Sequence, residues 1–430
     1  MSLSATRRSV FAGAALAGLP YQAISAPKAS DGDGGFGTDI PSDLQRYACF
    51  GPKTSGGPGD EACGAWVETR IQALGFETTR QEVDVPFLDV STARLSCGET
   101  EAPVWIMPWN LQAAASWTLS VNGPLAWLDA AGSLAGKIAI SELPFKRWSS
   151  ASAPEIQACI SRAVQGGAKA LVLLANGPSG EAVALNMTAE TAVPLPVVTL
   201  GSRFAGDLRA SAWSGAEAGL EAAGVAGRRP AFNLIGRRPG SGPRLVLSTP
   251  RSGWFGCAGE RGSGLAAWLA VAAALRNHDG PIDLVCTTGH EWEGRGAEAY
   301  LAGLAPRPDA VALWVHFGAN FATRDAHDLG QRLRFLETAD PQRYLVGSAD
   351  LQDALKRHFA GQPGLESPYP LAAGAAGELK TLIDHGYERL VGVFGAHRLH
   401  HTPADTLETV SSRIVLDSAR AMRDAIVEHV

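Results

Sequence analysis

Short apolar runs alternate with segments of helical periodicity through residues 233–430. Mostly apolar runs predict buried strands at 244–248, 282–288, 310–317 and 390–394. Apolar residues at helical spacing predict helices at 263–276, 295–304, 349–360, 377–385 and 411–429. Because mostly apolar strands are typical of a sheet that is covered on both faces, this order favours an α/β fold with a mostly parallel central sheet and helices on both faces.

The first half of the chain divides into a short segment and a second unit. Periodicity predicts a helix over 60–74 and a strand over 76–83, while the Gly-, Asp-, Ser- and Pro-rich residues 30–60 predict a loop. Within 101–228, the pattern predicts strands at 136–140, 168–174 and 195–200 and a helix at 155–167. We therefore expect one α/β domain made of residues 35–100 and 229–430, interrupted by a smaller β/α domain at 101–228. Few titratable residues lie near one another in that insert, which predicts no chemistry there.

Residues 1–29 have the pattern of an export signal. Arg7 and Arg8 precede a weakly apolar, Ala- and Gly-rich stretch, and Ala23-Ile24-Ser25-Ala26 follows it. Paired arginines before a modest apolar segment are typical of twin-arginine signals, which direct folded proteins across a membrane. This pattern predicts a periplasmic or secreted protein.

Composition and charge exclude several classes of protein. The 430 residues are 46% hydrophobic and 19% charged, which is typical of a folded chain rather than a disordered one. The net charge is −6 and no basic stripe is present, so we expect no nucleic-acid partner. No apolar run reaches the roughly 18–20 residues that a membrane-spanning helix needs, so we expect no membrane span.

The six cysteines form no Cys-x-x-Cys metal motif. Cys49 and Cys63 could form a disulfide in an oxidising compartment. Cys286 lies within an apolar run, which predicts a buried core residue.

Titratable residues follow all four predicted strands of the central sheet. Ligands of parallel α/β sheets bind at the carboxyl ends of the strands. The residues at these ends are Arg251 and Glu260, then His290 and Glu291, then His316, and finally His397, His400, His401 and Asp405. Five of the ten histidines belong to this set. A buried cluster of acids and imidazoles needs a metal or mutual pairing to offset its desolvation, so we expect a functional site at this edge.

These segments resemble the co-catalytic zinc aminopeptidases, a family that includes bacterial leucyl aminopeptidases, plasma glutamate carboxypeptidase, the transferrin-receptor ectodomain and, more distantly, glutaminyl cyclase. The resemblance covers nearly all of the mature chain. Residues 233–240, 262–266 and 289–300 match the family's motifs, and residues 401–406 match its final-histidine motif most specifically. Residues 101–228 are similar to the protease-associated insert of these enzymes. The resemblance implies the fold expected above and the hydrolysis of peptide bonds with zinc.

The chain departs from the family at the first metal. Thr249 and Arg251 stand where the family has a metal-binding histidine and, two residues later, an aspartate. A guanidinium cannot bind zinc and repels a nearby cation, so a two-zinc site is not expected. Arg251 could instead pair with Glu260 or with a substrate carboxylate. Glu260 itself, which matches the family's metal-bridging aspartate, could also form an ordinary surface pair with Arg261.

The remaining matches suggest one metal ion. The resemblance places His290 at the family's general base, Glu291 at its second-metal glutamate, His316 at a metal-ligand aspartate and His401 at the closing histidine, with Glu378 as a loose match to a further acid. Glu260, Glu291 and His401 would then hold a single zinc, and His316 could replace one carboxylate. His290 would act as base, and Arg251 would anchor negative charge. His400 and His401 could also form a capping turn, and Trp254, Trp292 and Trp314 could line an apolar pocket or belong to the core.

Three functions remain open. The first is an exported metal-dependent hydrolase of a peptide or small amide substrate, with about one zinc per chain. The second is a catalytically silent relative that binds a partner through the same cleft. The third is a single-metal or metal-free enzyme of another class, a cyclase or lyase that uses Arg251, His290 and His316.

Overall fold

A computed structural model describes residues 36–108, 115–130, 132–188, 193–330 and 332–430. The predicted signal at 1–29 lies outside these residues. The α-helices within them are α1 (Ile40–Cys49), α2 (Pro58–Ala73), α3 (Pro154–Gln165), α4 (Ala205–Ser214), α5 (Ser263–Ala274), α6 (Arg295–Gly303), α7 (Gln352–His358), α8 (Glu378–Asp384) and α9 (Ser412–Val427). The strands are β1 (Glu77–Cys97), β2 (Thr100–Ile106), β3 (Ala115–Trp127), β4 (Ile138–Glu142), β5 (Ala170–Ala175), β6 (Val197–Gly201), β7 (Glu217–Arg238), β8 (Arg244–Pro250), β9 (Ile282–Thr287), β10 (Val311–Phe317), β11 (Arg324–Asp328), β12 (Leu333–Ala339), β13 (Arg343–Gly347), β14 (Tyr369–Pro370) and β15 (Leu390–Gly395).

The strands predicted from 233–430 form a parallel core in the order β9-β8-β10-β15. Helices cover both of its faces. Apolar side chains of α1, α5 and α9 pack on one face, and those of α6 and α8 pack on the other. Helix α5 is apolar all round because it is buried along nearly its whole length. The predicted fold class, a large central sheet between layers of helices, is confirmed.

The predicted loop over residues 30–60 is wrong in part, because α1 lies inside it. The Asp39 carboxylate accepts a hydrogen bond from the Ser42 backbone N–H and caps the helix. Ile40, Leu44 and Tyr47 then bury one face of α1 in the core. Glycines and prolines on both sides of α1 dominate the composition of residues 30–60. The single apolar face of this helix was therefore not recognised from the sequence. The helix predicted over 349–360 is a short 3₁₀ turn followed by α7.

Residues 101–228 supply a second group of strands, whose apolar side chains pack with Leu95 and Cys97 of β1 in one cluster and with Trp254 and Trp292 in another. Strands β3, β4, β5 and β6 are parallel neighbours. The long strands β1 and β7 pair antiparallel from Glu77↔Arg237 to Cys97↔Ala218. Since both strands run from the central sheet into the insert without a break, the two groups of strands form one hydrogen-bonded sheet.

The cysteines do not form the suggested disulfide. Cys49 and Cys63 are free thiols, because Cys49 is exposed at the end of α1 whereas Cys63 faces the core from α2. Cys286 is buried as predicted. Within the described ranges, no helix has both the length and the apolar character needed to cross a bilayer.

Candidate metal centre and its surroundings

Two of the predicted metal ligands, Glu260 and His401, meet at the carboxyl edge of the sheet. Glu260 lies in a single π-helical turn, Ala258–Gly262, that follows β8 and leads into α5. His401 lies in the loop after β15. Its Nε2 atom is 3.1 Å from Oε1 of Glu260, and both side chains are completely buried.

His400 is the third member of this group and was not among the ligands predicted from the sequence. Its ring stacks on that of His401, with 3.9 Å between the centroids. One potential ligand atom from each of Glu260, His400 and His401 lies within 4.8 Å of the others. His401 has a positive φ of 58°, which turns the chain sharply at this point. The adjacent histidines before Thr402 were the only sequence signal for this arrangement.

The unpaired atoms of this group fit a metal ion. Among the described residues, Oε2 of Glu260 and Nδ1 of His400 are buried without a hydrogen-bond partner. Nδ1 of His401 lies 3.0 Å from the Ala184 carbonyl oxygen, which leaves Nε2 facing Glu260. A histidine whose second ring nitrogen is held by a backbone carbonyl is typical of metal sites. One carboxylate and two imidazoles form a donor set that suits zinc.

Arg261 keeps Glu260 ionised. The guanidinium of Arg261 lies 2.5 Å from Oε1 of Glu260, and this pair is buried rather than at the surface. Burial alone would raise the pKa of Glu260, but the charges of Arg261 and His401 hold it well below its ordinary value. Oε1 is therefore shared between Arg261 and His401, while Oε2 remains free to bind a cation.

Asp405 fixes the turn that carries Glu260. Its carboxylate accepts hydrogen bonds from the backbone N–H groups of Gly259, at 2.7 Å, and Glu260, at 3.0 Å. Nε2 of His397 lies 3.1 Å from the same carboxylate. A Cβ atom at Gly259 would lie 2.8 Å from the Asp405 carboxylate, so glycine is needed for this close approach.

Glu291, the remaining predicted ligand, lies outside the group formed by Glu260, His400 and His401. Oε1 of Glu291 accepts hydrogen bonds from the N–H and the hydroxyl of Ser55, and Oε2 accepts one from Ser252. Burial raises the pKa of Glu291, opposed by the Ser55 hydrogen bonds. Both oxygens are thus already occupied by hydroxyl and amide donors.

Arg251 pairs with Asp60 rather than with Glu260. Nε of Arg251 lies 2.9 Å from Oδ1 of Asp60, and neither side chain is exposed. The guanidinium also donates to the Phe232 carbonyl oxygen at 2.7 Å and packs over the Phe232 ring. Thr249 is equally buried and donates to the Phe317 carbonyl oxygen. Because the Arg251 guanidinium is completely buried, it cannot contact a substrate carboxylate in this structure.

His290 and Glu378 form a second titratable pair at the same edge of the sheet. Nδ1 of His290 lies 3.2 Å from Oε1 of Glu378, and the Thr287 hydroxyl donates to the same carboxylate. Burial would raise the pKa of Glu378, but the hydrogen bond and charge of His290 lower it below its ordinary value. A tenth of the His290 side chain is exposed. The pair therefore has the arrangement of an imidazole base oriented by a carboxylate.

His316 is buried beside this pair and is not part of the candidate metal group. Its Nδ1 lies 3.0 Å from the Ser248 hydroxyl, which also accepts a hydrogen bond from Nε1 of Trp314. Burial lowers the pKa of His316 to about 4. His316 is therefore neutral near pH 7.

The insert closes over the candidate metal centre. The backbone N–H of Ala184 donates to the His401 carbonyl oxygen, and that of Met187 donates to the Glu291 carbonyl oxygen. Nε1 of Trp254 lies 3.0 Å from Oδ1 of Asn186. A cavity of about 280 Å³ lies beside these contacts and is lined by residues that include Met107, Met187, Val193 and Glu293.

The three tryptophans divide between two surroundings. Trp254 and Trp292 are in edge contact with each other, and Trp254 also contacts Trp105 of the insert. Trp314 is buried against Tyr300 and Tyr387 on the far face of the sheet. Trp254 and Trp292 thus help join the insert to the central sheet, whereas Trp314 belongs to the core.

No family model and no curated protein matches the sequence. Solved structures do match. An aminopeptidase from Aneurinibacillus sp. strain AM-1 is 17% identical at a TM-score of 0.62, covering 93% of this chain and 96% of that one. A zinc aminopeptidase from Bacillus subtilis is 15% identical at a TM-score of 0.65, and the match covers 90% of this chain and 94% of that one. A peptidase M28 precursor from Shewanella amazonensis SB2B is 16% identical at 0.66, covering 91% of each chain.

This chain has the zinc-aminopeptidase fold. The expected resemblance is confirmed at the level of the fold, and identities this low show the fold alone. The three residues that the sequence predicted to differ from the family's motifs, Thr249, Arg251 and His290, each have a partner inside the chain. Arg251 has its own counterion in Asp60, and His290 has its own carboxylate in Glu378.

Proposed function

We propose that this protein is a metal-dependent hydrolase of amide bonds in peptides, with one zinc ion per chain held by Glu260, His400 and His401. The observation that supports it is the convergence of these three side chains, with buried unpaired atoms on Glu260 and His400, in a zinc-aminopeptidase fold. Glu291 would have to give up its Ser55 and Ser252 partners to reach the same ion, so we assign the third ligand to His400.

The residues around this site have separable roles in the proposed reaction. Zinc bound there would supply Lewis-acid polarisation of the substrate carbonyl. His290 accepts a proton at Nε2 because Glu378 holds its Nδ1–H. Arg261 and Asp405 keep the Glu260 carboxylate ionised and fixed in place. The neighbouring cavity of about 280 Å³ offers space for a substrate side chain, with an apolar wall that includes Met107, Met187 and Val193 and a polar wall that includes Ser152, Gln157 and Glu293.

We also infer export, because Arg7 and Arg8 precede an apolar stretch at the N-terminus. A periplasmic or secreted location follows from that signal. Expression of the full chain, followed by fractionation and N-terminal sequencing of the mature protein, tests it. A chain that stays in the cytoplasm with residues 1–29 intact would contradict this inference.

A second candidate is a metal-free enzyme that works through the His290–Glu378 pair. It is favoured by the two buried arginines, because Arg251 and Arg261 already supply positive charge to Asp60 and Glu260 without a metal. Zinc content separates the two candidates directly.

The test combines elemental analysis with activity. We expect about one zinc per wild-type chain, chelator-sensitive hydrolysis within a panel of aminoacyl-anilides, N-acylated peptides and dipeptides, and loss of both zinc and activity in His401→Ala. The matched control is His385→Ala, since His385 is exposed and bonds to its own helix. Full zinc and activity in His401→Ala would overturn the proposed metal site, and chelator-resistant activity without zinc would favour the metal-free candidate.

A further inference from the structure

Two segments of the insert hold the loop that follows β15 at both of its ends. We call residues 396–401 the ligand loop, because it carries two members of the candidate metal group. At its start, a guanidinium nitrogen of Arg147 lies 2.7 Å from the Ala396 carbonyl oxygen. At its end, the Ala184 N–H donates to the His401 carbonyl oxygen at 2.9 Å, and Nδ1 of His401 lies 3.0 Å from the Ala184 carbonyl oxygen.

Arg147 is anchored by a buried acid between β12 and β13. The nitrogen that contacts the ligand loop also lies 2.8 Å from each carboxylate oxygen of Asp340. The Asp340 side chain is completely buried, and that of Arg147 is only 16% exposed. Asp340 is itself fixed, because its N–H donates to the Thr323 carbonyl oxygen and its carboxylate accepts from the Gln342 N–H. Arg147 therefore joins the insert to the central domain through a charge-assisted contact.

The two insert segments that reach the ligand loop are also bonded to each other. The Asn186 N–H donates to the Ser149 carbonyl oxygen at 2.8 Å, and the Ala151 N–H donates to the Asn186 carbonyl oxygen at 2.9 Å. Arg147 and Ala184 each lie two residues from these contacts. A shift of Arg147 is therefore passed to Ala184 through backbone hydrogen bonds.

His401 depends on such support because its backbone is strained. Its φ of 58° lies in the left-handed region. A residue other than glycine stays there only when surrounding contacts hold it. The Ala184 carbonyl also holds the ring at Nδ1, which fixes the direction of Nε2 toward Glu260.

We propose that Arg147 is a positioning residue for the candidate metal centre, holding the insert and the ligand loop in the arrangement that points Nε2 of His401 toward Glu260. The proposal rests on the proposed function above and gives the insert a part in it. Arg147 acts on His401 through Ala184 and the ligand loop rather than by binding the ion.

The experiment measures the zinc affinity of the zinc-free protein by competition with a chromogenic chelator. Arg147→Gln should weaken zinc binding by about tenfold or more, as is typical when support for a metal-ligating histidine is removed. Since this variant leaves Asp340 buried without its cation, Arg147→Gln/Asp340→Asn removes both charges and should show a similar loss. The control is Arg209→Gln, at an exposed ion pair of the insert with Glu142, and it should bind zinc as wild-type protein does.

Amide hydrogen exchange separates positioning from a general loss of stability. In zinc-free Arg147→Gln, exchange should become faster in peptides that cover residues 184–187 and 396–401, and should be unchanged in the buried helix α5. A local opening exposes only the hydrogen bonds that it breaks, whereas a general loss of stability would speed exchange in α5 as well. In wild-type protein, zinc should slow exchange in both segments.

The outcomes separate this inference from the proposed function. Unchanged zinc affinity in both Arg147 variants would overturn the positioning role and leave the proposed function standing. Wild-type protein that binds no zinc would contradict the proposed function, and exchange would then test Arg147 alone. Faster exchange confined to the two segments would support its role, and unchanged exchange there would overturn it. If neither variant folds, zinc that slows exchange in wild-type protein at 396–401 but not at 184–187 would overturn the coupling.

Discussion

Nε of Arg251 lies 2.9 Å from Oδ1 of Asp60, and both side chains are completely buried beneath the carboxyl edge of the sheet. Asp60 also accepts hydrogen bonds from the Gly56 backbone N–H and the Thr288 hydroxyl. Burial alone would lower the pKa of Arg251, but the charge of Asp60 raises it above its ordinary value, so the arginine is charged. Arg251 thus joins α2 to the ends of the central strands, and its charge is already balanced within the protein.

Removing Arg251 should therefore destabilise the fold. Arg251→Met leaves the Asp60 carboxylate buried without its counterion, and we expect the free energy of unfolding to fall by about 3–5 kcal/mol. The double variant Arg251→Met/Asp60→Asn should recover part of this loss. Urea denaturation of the wild-type protein, Arg251→Met, Asp60→Asn and the double variant, which together form a double-mutant cycle, measures both effects.

The matched control for that cycle is Arg420→Gln, since Arg420 is partly exposed and lies 3.9 Å from Asp417. We expect it to change stability by less than about 1 kcal/mol. A fully stable Arg251→Met protein with a raised KM for free-acid peptides alone would contradict the structural role and restore Arg251 as a substrate-binding residue.

Glu378 should act as a positioning residue for His290. Glu378→Gln keeps the shape of the side chain but removes the negative charge that faces Nδ1 of His290 and orients its ring, so we expect kcat to fall about tenfold to a hundredfold with KM little changed. Glu378→Asp should restore part of kcat. Steady-state kinetics, with zinc content measured on the same samples, checks this.

Glu298→Gln provides the comparison for Glu378, because Glu298 is a half-exposed acid on α6 whose partner His385 lies 3.5 Å away at the surface. It should leave kcat unchanged. An unchanged kcat in Glu378→Gln would show that His290 does not depend on this carboxylate, and a loss of zinc would show instead that Glu378 supports the metal centre.

His316 should make the stability of the protein depend on pH. Its pKa falls from an ordinary 6.5 to about 4 in the folded protein because it is buried. As pH falls from about 6.5 to 4, the unfolded chain binds a proton that the folded chain does not, so the free energy of unfolding decreases. The loss is about 3 kcal/mol once pH is below 4.

The measurement is urea denaturation of wild-type protein and His316→Gln at several pH values between 4 and 7. Glutamine does not titrate, so the advantage of wild-type protein over the variant should shrink as pH falls through this window. A constant difference between the two proteins would mean that His316 has the same pKa in both states.

Sequence periodicity was sufficient for the central fold because its strands are mostly apolar and alternate along the chain with helices. It placed β8, β9, β10 and β15, and the rule that ligands bind at carboxyl ends brought Glu260 and His401 to one edge. It missed α1, whose single apolar face is short and lies among glycines and prolines.

The sequence by itself indicated which segments would meet, because a mostly parallel sheet brings the residues that follow each strand to one edge. Only the tertiary structure decided which side chains pair. Asp60 and Ser55 lie far along the chain from their partners Arg251 and Glu291, and no local pattern records such contacts. Buried charges take whichever partner the packed fold places within about 3 Å, since leaving one unpaired costs several kcal/mol. That choice depends on the packing of the whole chain.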